Sequence, residues 1–257
     1  MASGASIKVS NLSLSIPIYE PGSMKLFRRG LFKRQAASRT GGNLHVSSGK
    51  IHVDALQNIS FAVESGEKIG LLGHNGSGKT TLLKVLAGIY PHSSGEMLVL
   101  GQVGAMLDTG SVAIDDLNGY ECVKLFCDMK NLSAVQAEKI FDDVVAFSEL
   151  GEFINLPVRT YSAGMRSRLA ATIITSFSYE ILLIDEGIGA GDDAFQKKLQ
   201  KRVAEYLESS SIVFVASHSE GLIREYCNRC MVMRKGVLVF DGSVDAAFDF
   251  YNSSEYM

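Results

Sequence analysis

Residues 73–80 read Gly-His-Asn-Gly-Ser-Gly-Lys-Thr, a set of types whose spacing suits one task, the cradling of phosphate. Glycines at 73, 76 and 78 let the backbone fold into a nest with its N–H groups pointing inward, and a helix predicted over 81–87 adds the positive end of its dipole. Lys79 then reaches the β and γ oxygens of a bound triphosphate, and Thr80 ligates Mg²⁺. His74, Asn75, Ser77 and Thr81 complete the nucleotide-binding stretch. An apolar strand predicted over 68–72 leads into the loop, the strand, loop and helix order that this chemistry needs. The loop indicates that a nucleoside triphosphate binds and leaves open what its hydrolysis drives.

Three further groups could act on the same phosphate. Ile181-Leu-Leu-Ile-Asp185-Glu186 is an all-apolar strand ending in two acids, and such a strand is buried on both faces with its carboxyl end where ligands bind in open α/β sheets. Asp185 is the expected water-mediated partner of Mg²⁺, and Glu186, one residue further, is placed to polarise the attacking water. His218 follows a second apolar strand, 212–216, at the same sheet edge, where it could donate a hydrogen bond to the γ-phosphate. Tyr161-Ser-Ala-Gly-Met-Arg-Ser-Arg168 precedes an apolar helix, so Ser162 and Gly164 form a second anion site at a helix N-terminus; taken alone, Ser162 is simply an N-cap. One chain does not easily fold both sites onto one γ-phosphate, which points to a dimer that completes each site in trans.

The elements that must position these groups are legible in outline. Apolar residues at 7, 9, 12, 14 and 16 suggest strands at the edge of a half-buried sheet, followed by strands over 59–63, 68–72 and 97–100, with a turn at Glu64-Ser-Gly-Glu67. Between 118 and 150 the period turns helical, and Asn131-Leu-Ser133 supplies a break and an N-cap, giving a two-helix insert. Helix 164–177, strand 181–184, helix 193–207, strand 212–216 and helix 220–226 then alternate as in a parallel α/β winding. No internal repeat or second nucleotide loop is present. Residues 19–48 read as an inserted loop, with Pro21-Gly22, a basic amphipathic stretch over 24–34 and a Ser/Gly-rich tail. That stretch suits either lipid headgroups or a membrane partner on one reading, or a solvated surface helix on the other.

The bulk composition narrows the class. A chain of 257 residues, 46% hydrophobic and 21% charged, holds one sizeable core or a core with a subdomain. A net charge of -3 argues against nucleic acid bound through phosphate neutralisation. The longest apolar runs, such as 169–174 and 212–216, fall far short of the roughly 20 residues of a membrane span. The first 18 residues carry no export signal, so the cytoplasm is the expected compartment. Cys227 and Cys230 have the spacing of half a zinc site, but Cys122 and Cys127 do not match it and no histidine is near, so the four are read as small packed hydrophobes.

Taken in order, these motifs resemble the nucleotide-binding subunit of ATP-binding cassette transporters over nearly the whole chain, from about Ile7 to Tyr251. The resemblance implies an α/β fold of the P-loop NTPase class: a mainly parallel sheet core, a small antiparallel β subdomain and a helical subdomain over 101–165 that carries the signature, all within a single ATP-binding domain, 1–257. By the same resemblance, residues 73–80 are the Walker A loop, Asp185 the Walker B acid, Glu186 the catalytic base, His218 the switch histidine and Ser162-Ala-Gly164 the centre of the cassette signature. Tyr161-Ser-Ala-Gly-Met165 departs from the usual Leu-Ser-Gly-Gly-Gln. With Gly189-Ala-Gly-Asp192 and the basic insert, that form is similar to the ATPase subunits of bacterial exporters of lipid-linked O-antigen, capsular polysaccharide or wall teichoic acid. The glutamine of the usual Q-loop position is expected to be missing between Leu100 and Leu117, with Asp108, in Met106-Leu-Asp-Thr-Gly110, taking its place as a metal ligand. An adenine-stacking aromatic is expected ahead of the loop; Tyr19 and His52 both qualify, and Tyr19 is preferred because its face stacks at either protonation state.

What the resemblance implies is an ATPase with ATP and Mg²⁺ as its ligands, acting as a homodimer on a transmembrane permease dimer at the cytoplasmic face of the inner membrane. The cargo would be a lipid-linked polysaccharide, O-antigen first, with capsule or teichoic acid as the alternative and no nucleic acid. A chain ending at Met257 should lack the C-terminal glycan-binding domain of some exporters. Two rivals are a soluble cassette ATPase working on DNA or ribosomes and a regulatory module that binds ATP without turnover.

Overall fold

Short apolar runs bounded by turn residues make up most of this fold, and the computed structural model describes them over residues 4–18, 43–47, 50–107, 112–185, 193–217 and 219–253. In chain order the elements are β1 (Ser6–Ile18), β2 (Asn43–Ser47), β3 (Lys50–Glu64), β4 (Lys68–Leu72), α1 (Lys79–Leu86), β5 (Ser94–Leu100) and β6 (Val103–Met106). Then come α2 (Gly119–Met129), α3 (Ala134–Ser148), two short 3₁₀ turns (Gly151–Asn155 and Val158–Thr160), α4 (Ala163–Thr175), β7 (Ile181–Ile184) and α5 (Asp193–Ser209). The chain finishes with β8 (Ile212–Ala216), α6 (Glu220–Tyr226), β9 (Arg229–Arg234), β10 (Val237–Gly242) and α7 (Val244–Asn252). These elements fall into two compact units, 1–103 with 211–257, and 104–210.

The first unit holds an antiparallel sheet in the order β2-β3-β1-β5. β1 therefore lies between two neighbours and not at the edge expected for it, because alternation of apolar residues reports burial of one face and says nothing about the number of neighbours. Ile7, Val9, Leu12 and Leu14 are all buried although the phase changes after Val9. A register shift between Val9 and Leu12 accounts for this: Asn11 sits at φ 50, its N–H satisfied by Ser60 Oγ at 2.8 Å, and the extra residue returns Leu12 to the core side. β2 falls within the segment expected as an inserted loop and pairs antiparallel with β3, Asn43 opposite Asp54 and Ser47 opposite Lys50; the basic stretch 24–34 and Tyr19 lie outside the described residues.

The same unit carries a second sheet in which β10, β9, β4 and β8 are neighbours in that order. β4 is parallel to both β8 and β9, as fully buried apolar strands prefer, and β10 returns antiparallel to β9. α1 packs here through Leu82, Leu83, Val85 and Leu86. β4 and β8 have the bounds expected from sequence, whereas α1 starts two residues earlier than expected.

In the second unit β6 and β7 are neighbours, and the Asp185 N–H donates to the Met106 carbonyl at 3.1 Å. Both helices of the expected insert begin with capping boxes, Asn118 with Glu121 and Ser133 with Gln136. α4 is apolar along most of its length because Ala171 packs with Phe195 and Leu199 of α5, with Phe147 and Val203 against them. The Arg202 guanidinium pairs with Asp143 and donates to the Thr175 carbonyl, which ties α5 to α3 and the end of α4.

Candidate functional site

The nucleotide loop leaves the sheet where β4 and β8 end together, Leu71 level with Ala216, while β9 runs on past Val232, which is level with Leu72. Its glycines take the left-handed conformations the sequence asked for, φ 148 at Gly73, 80 at Gly76 and 108 at Gly78. At Gly73 the space is also closed, since a Cβ would stand 2.5 Å from both the Met233 carbonyl oxygen and Ser77 Oγ. The Ser77 N–H closes a turn on the His74 carbonyl at 3.0 Å. The Lys79 ammonium folds back over this turn and donates to the Gly73 carbonyl at 2.5 Å and to the His74 carbonyl at 3.4 Å. Lys79 is buried, yet its charge stays at the loop.

Two features fit this loop to an external anion. Ser77 Oγ is buried without a hydrogen-bond partner among the described residues. Helix α1 begins at Gly78 with no side-chain cap and no acidic residue in its first turn, so neither its leading N–H groups nor its dipole is answered by a side chain of its own first turn. Thr80 is exposed and Thr81 half-buried on that turn. His74, Asn75 and Gly76 are exposed at the rim. His52 lies in β3 opposite His45 of β2 and Pro17 of β1.

The remaining candidates are distributed as follows. Ser217 leaves the end of β8 beside β4, and His218 lies outside the described residues. In the second unit Asp185 follows the buried strand β7, half-buried, while Glu186, Asp108 and residues 189–192 lie outside the described residues. The expectation that no glutamine lies between Leu100 and Leu117 is corrected by Gln102, which stands in the link between β5 and β6. Ser162 is the N-cap of α4, its Oγ accepting from the Met165 N–H at 3.2 Å. The turn before it is fixed by Tyr161, whose hydroxyl donates to the Phe153 carbonyl at 2.6 Å; burial raises that phenol's pKa. Gly164 has open space around it, with only Ser162 Oγ at 3.9 Å from a built Cβ.

The cysteines pack inside. Cys230 lies beneath Gly70 of β4, where a Cβ would meet its Sγ at 2.6 Å. Burial pushes the Cys227 thiol up to about 12 and the Cys230 thiol up to about 11, so both stay protonated at neutral pH. Among the described residues no three His, Cys, Asp or Glu side chains cluster as metal ligands, and no helix is long and apolar enough to cross a membrane.

A family model described as ABC transporter matches residues 56–189. The chain is 42% identical over 241 residues to the O-antigen export system ATP-binding protein RfbE of Yersinia enterocolitica, a match covering 93% of this chain and 98% of that protein. It is 35% identical to the capsule polysaccharide export ATP-binding protein CtrD of Neisseria meningitidis serogroup B, over 77% of this chain and 90% of that one. The teichoic acids export ATP-binding protein TagH of Enterococcus faecalis is 38% identical over 72% of this chain, and there the match spans only 41% of the relative's length. Among solved structures, a dimeric ATP-binding cassette in a post-hydrolysis state with ADP and Pi is similar at TM-score 0.66 and 19% identity, covering 93% of this chain and 98% of that one. That likeness shows the fold.

Proposed function

The chain belongs to the ABC transporter family, and we propose that it is the ATP-hydrolysing subunit of an exporter that moves lipid-linked polysaccharide, O-antigen, across the cytoplasmic membrane. The observation that carries the ATP reading is the loop at 73–80, where left-handed glycines, a buried Lys79 and a helix start without a side-chain cap suit a phosphate chain. The cargo follows from the relatives: 42% identity over 98% of an O-antigen export protein favours O-antigen over capsule at 35% and teichoic acid at 38% over a partial match.

In this reading the loop's N–H groups and Lys79 bind the β- and γ-phosphates, with Tyr19 stacking on adenine and His218 donating to the γ-phosphate. Thr80 and, through water, Asp185 would hold Mg²⁺, which when bound neutralises phosphate charge; Asp108 is a further candidate ligand. Glu186 accepts the proton of the attacking water. Ser162 and Gly164 serve the loop of a second copy. Gly164 supports this: glycine within a helix costs about 1 kcal/mol relative to alanine, and nothing among the described residues of its own chain requires the missing side chain. Closure of the dimer drives a permease dimer at the inner face of the membrane, and hydrolysis resets it.

The test has two parts. Glu186→Gln should lower ATP turnover about 10²- to 10⁴-fold while leaving ATP binding intact; normal turnover in that variant would remove Glu186 from its role. Deletion of the gene should abolish surface O-antigen, and the protein should copurify with a membrane subunit. Recovery on DNA without a membrane subunit would refute the exporter reading.

A further inference from the structure

β9, β10 and α7 form a hairpin and helix whose contacts converge on the nucleotide loop. β9 passes directly against Gly73 through the Met233 carbonyl. The turn at Lys235 and Gly236, both at positive φ, supports the second half of the loop: the Gly236 N–H donates to the Ser77 carbonyl at 2.8 Å. That turn is anchored in turn by Gln57 of β3, whose N–H donates to the Gly236 carbonyl at 2.8 Å and whose side chain donates to the Lys235 carbonyl at 3.2 Å.

α7 then returns to the first half of the loop. Its start is capped by Ser243, and its body is fixed by an ion pair between Asp245 and Arg224, by Arg224 lying over the Phe248 ring at 5.0 Å and by Phe250 stacked on Phe240 at 5.3 Å. Tyr251 follows the buried Ala247 and Phe248 by four and three residues, so it belongs to the packed face of the helix and its direction is set by that packing. Its ring lies 5.5 Å from the ring of His74 at an interplanar angle of 45°, with Tyr251 Oη 3.4 Å from His74 Nδ1.

We infer that Tyr251 is a positioning residue for nucleotide binding: its ring holds His74, and with it residues 73–76, in the phosphate-receptive conformation before the ligand arrives. A loop with three glycines in left-handed conformations loses much backbone freedom when it orders, and a contact that orders it in advance lowers the cost of binding. Gly236 does this for the Ser77 half, and Tyr251 does it for the His74 half. The inference rests on the reading of this loop as the ATP site. It adds a residue 177 positions away that touches no substrate.

The experiment measures ATP and ADP affinity of the full chain by fluorescence of labelled nucleotide, with kcat and KM for ATP alongside. Tyr251→Ala should weaken both nucleotides by the same factor, about two- to tenfold, and raise KM with kcat within about twofold, because the β-phosphate contact is common to both ligands. Tyr251→Phe keeps the ring and should restore wild-type affinity, a rescue that a general loss of fold would not show. His74→Ala should lose as much, and the double variant Tyr251→Ala with His74→Ala should lose no more than either alone. Unchanged affinity in Tyr251→Ala, a Tyr251→Phe variant as weak as Tyr251→Ala, or additive losses would each overturn the inference. Failure of the unaltered chain to bind either nucleotide would instead overturn the ATP reading.

Discussion

Two helix starts in this protein are candidates to meet phosphate, and they are built in opposite ways. α4 caps itself: Ser162 turns its hydroxyl onto the Met165 N–H, as Asn118, Ser133, Ser219 and Ser243 do at α2, α3, α6 and α7. α1 is the exception among the described α-helix caps, with Gly78 at φ 108 in the N-cap position and no side-chain acceptor. A self-capped helix is satisfied in the folded chain and can lend its dipole and an exposed hydroxyl to a visitor. At α1 no side-chain cap of its own competes with a bound anion for the helix start. On the proposed function, the difference would separate a site that binds phosphate within one chain from one that contributes to a site completed by another copy.

The largest effect should come from the charge at the uncapped start. Lys79→Ala removes a cation whose proposed hydrogen bonds to phosphate would be charge-assisted, each worth about 1.5–3 kcal/mol, so ATP affinity should fall about 10- to 100-fold, with turnover lost. Equilibrium binding to the purified chain checks this. Binding at wild-type strength would mean that the loop's backbone alone suffices. Next in size is the cap itself. Gly78→Ala forces a Cβ at φ 108, 3.1 Å from the Ala55 carbonyl oxygen, and should cost about 1–3 kcal/mol of stability together with a loss of ATP affinity. Urea unfolding with and without ATP separates the two losses, and no change in either would contradict the strained geometry.

The contrast was half legible in the sequence. Residues 73–80 announce their backbone because only glycine tolerates the turns required, and β7, β8 and α6 keep their predicted bounds because all-apolar runs are punctuated by turn and cap residues such as Ser217 and Ser219. Other parts depend on tertiary neighbours. β2 is five residues among serines and glycines and is held as a strand by β3. β6 contains Gly104, a poor strand former whose reason is the Tyr179 ring lying where its side chain would be, 2.2 Å from a built Cβ. The hairpin of β9 and β10 carries a turn signal in Lys235-Gly236, but nothing local says that this turn supports Ser77 or that Tyr251 meets His74. The bulge at Asn11 shows in the change of phase between Val9 and Leu12, whereas the place of β1 between β3 and β5 does not.

The smallest effect, and the one that most sharpens the comparison, belongs to the self-capped start. Ser162→Ala removes the acceptor of the Met165 N–H, which should lower stability by about 1 kcal/mol, since Ser162 and Ala163 are exposed and water replaces part of the lost bond. If that hydroxyl serves a loop in another copy, as proposed, ATP affinity of the monomeric chain should not change. In a Glu186→Gln background, where bound ATP persists, the same substitution should weaken ATP-dependent dimerisation measured by light scattering. If monomer affinity for ATP fell instead, Ser162 would act on its own chain's nucleotide, and the division between the two helix starts would be one of strength and not of partnership.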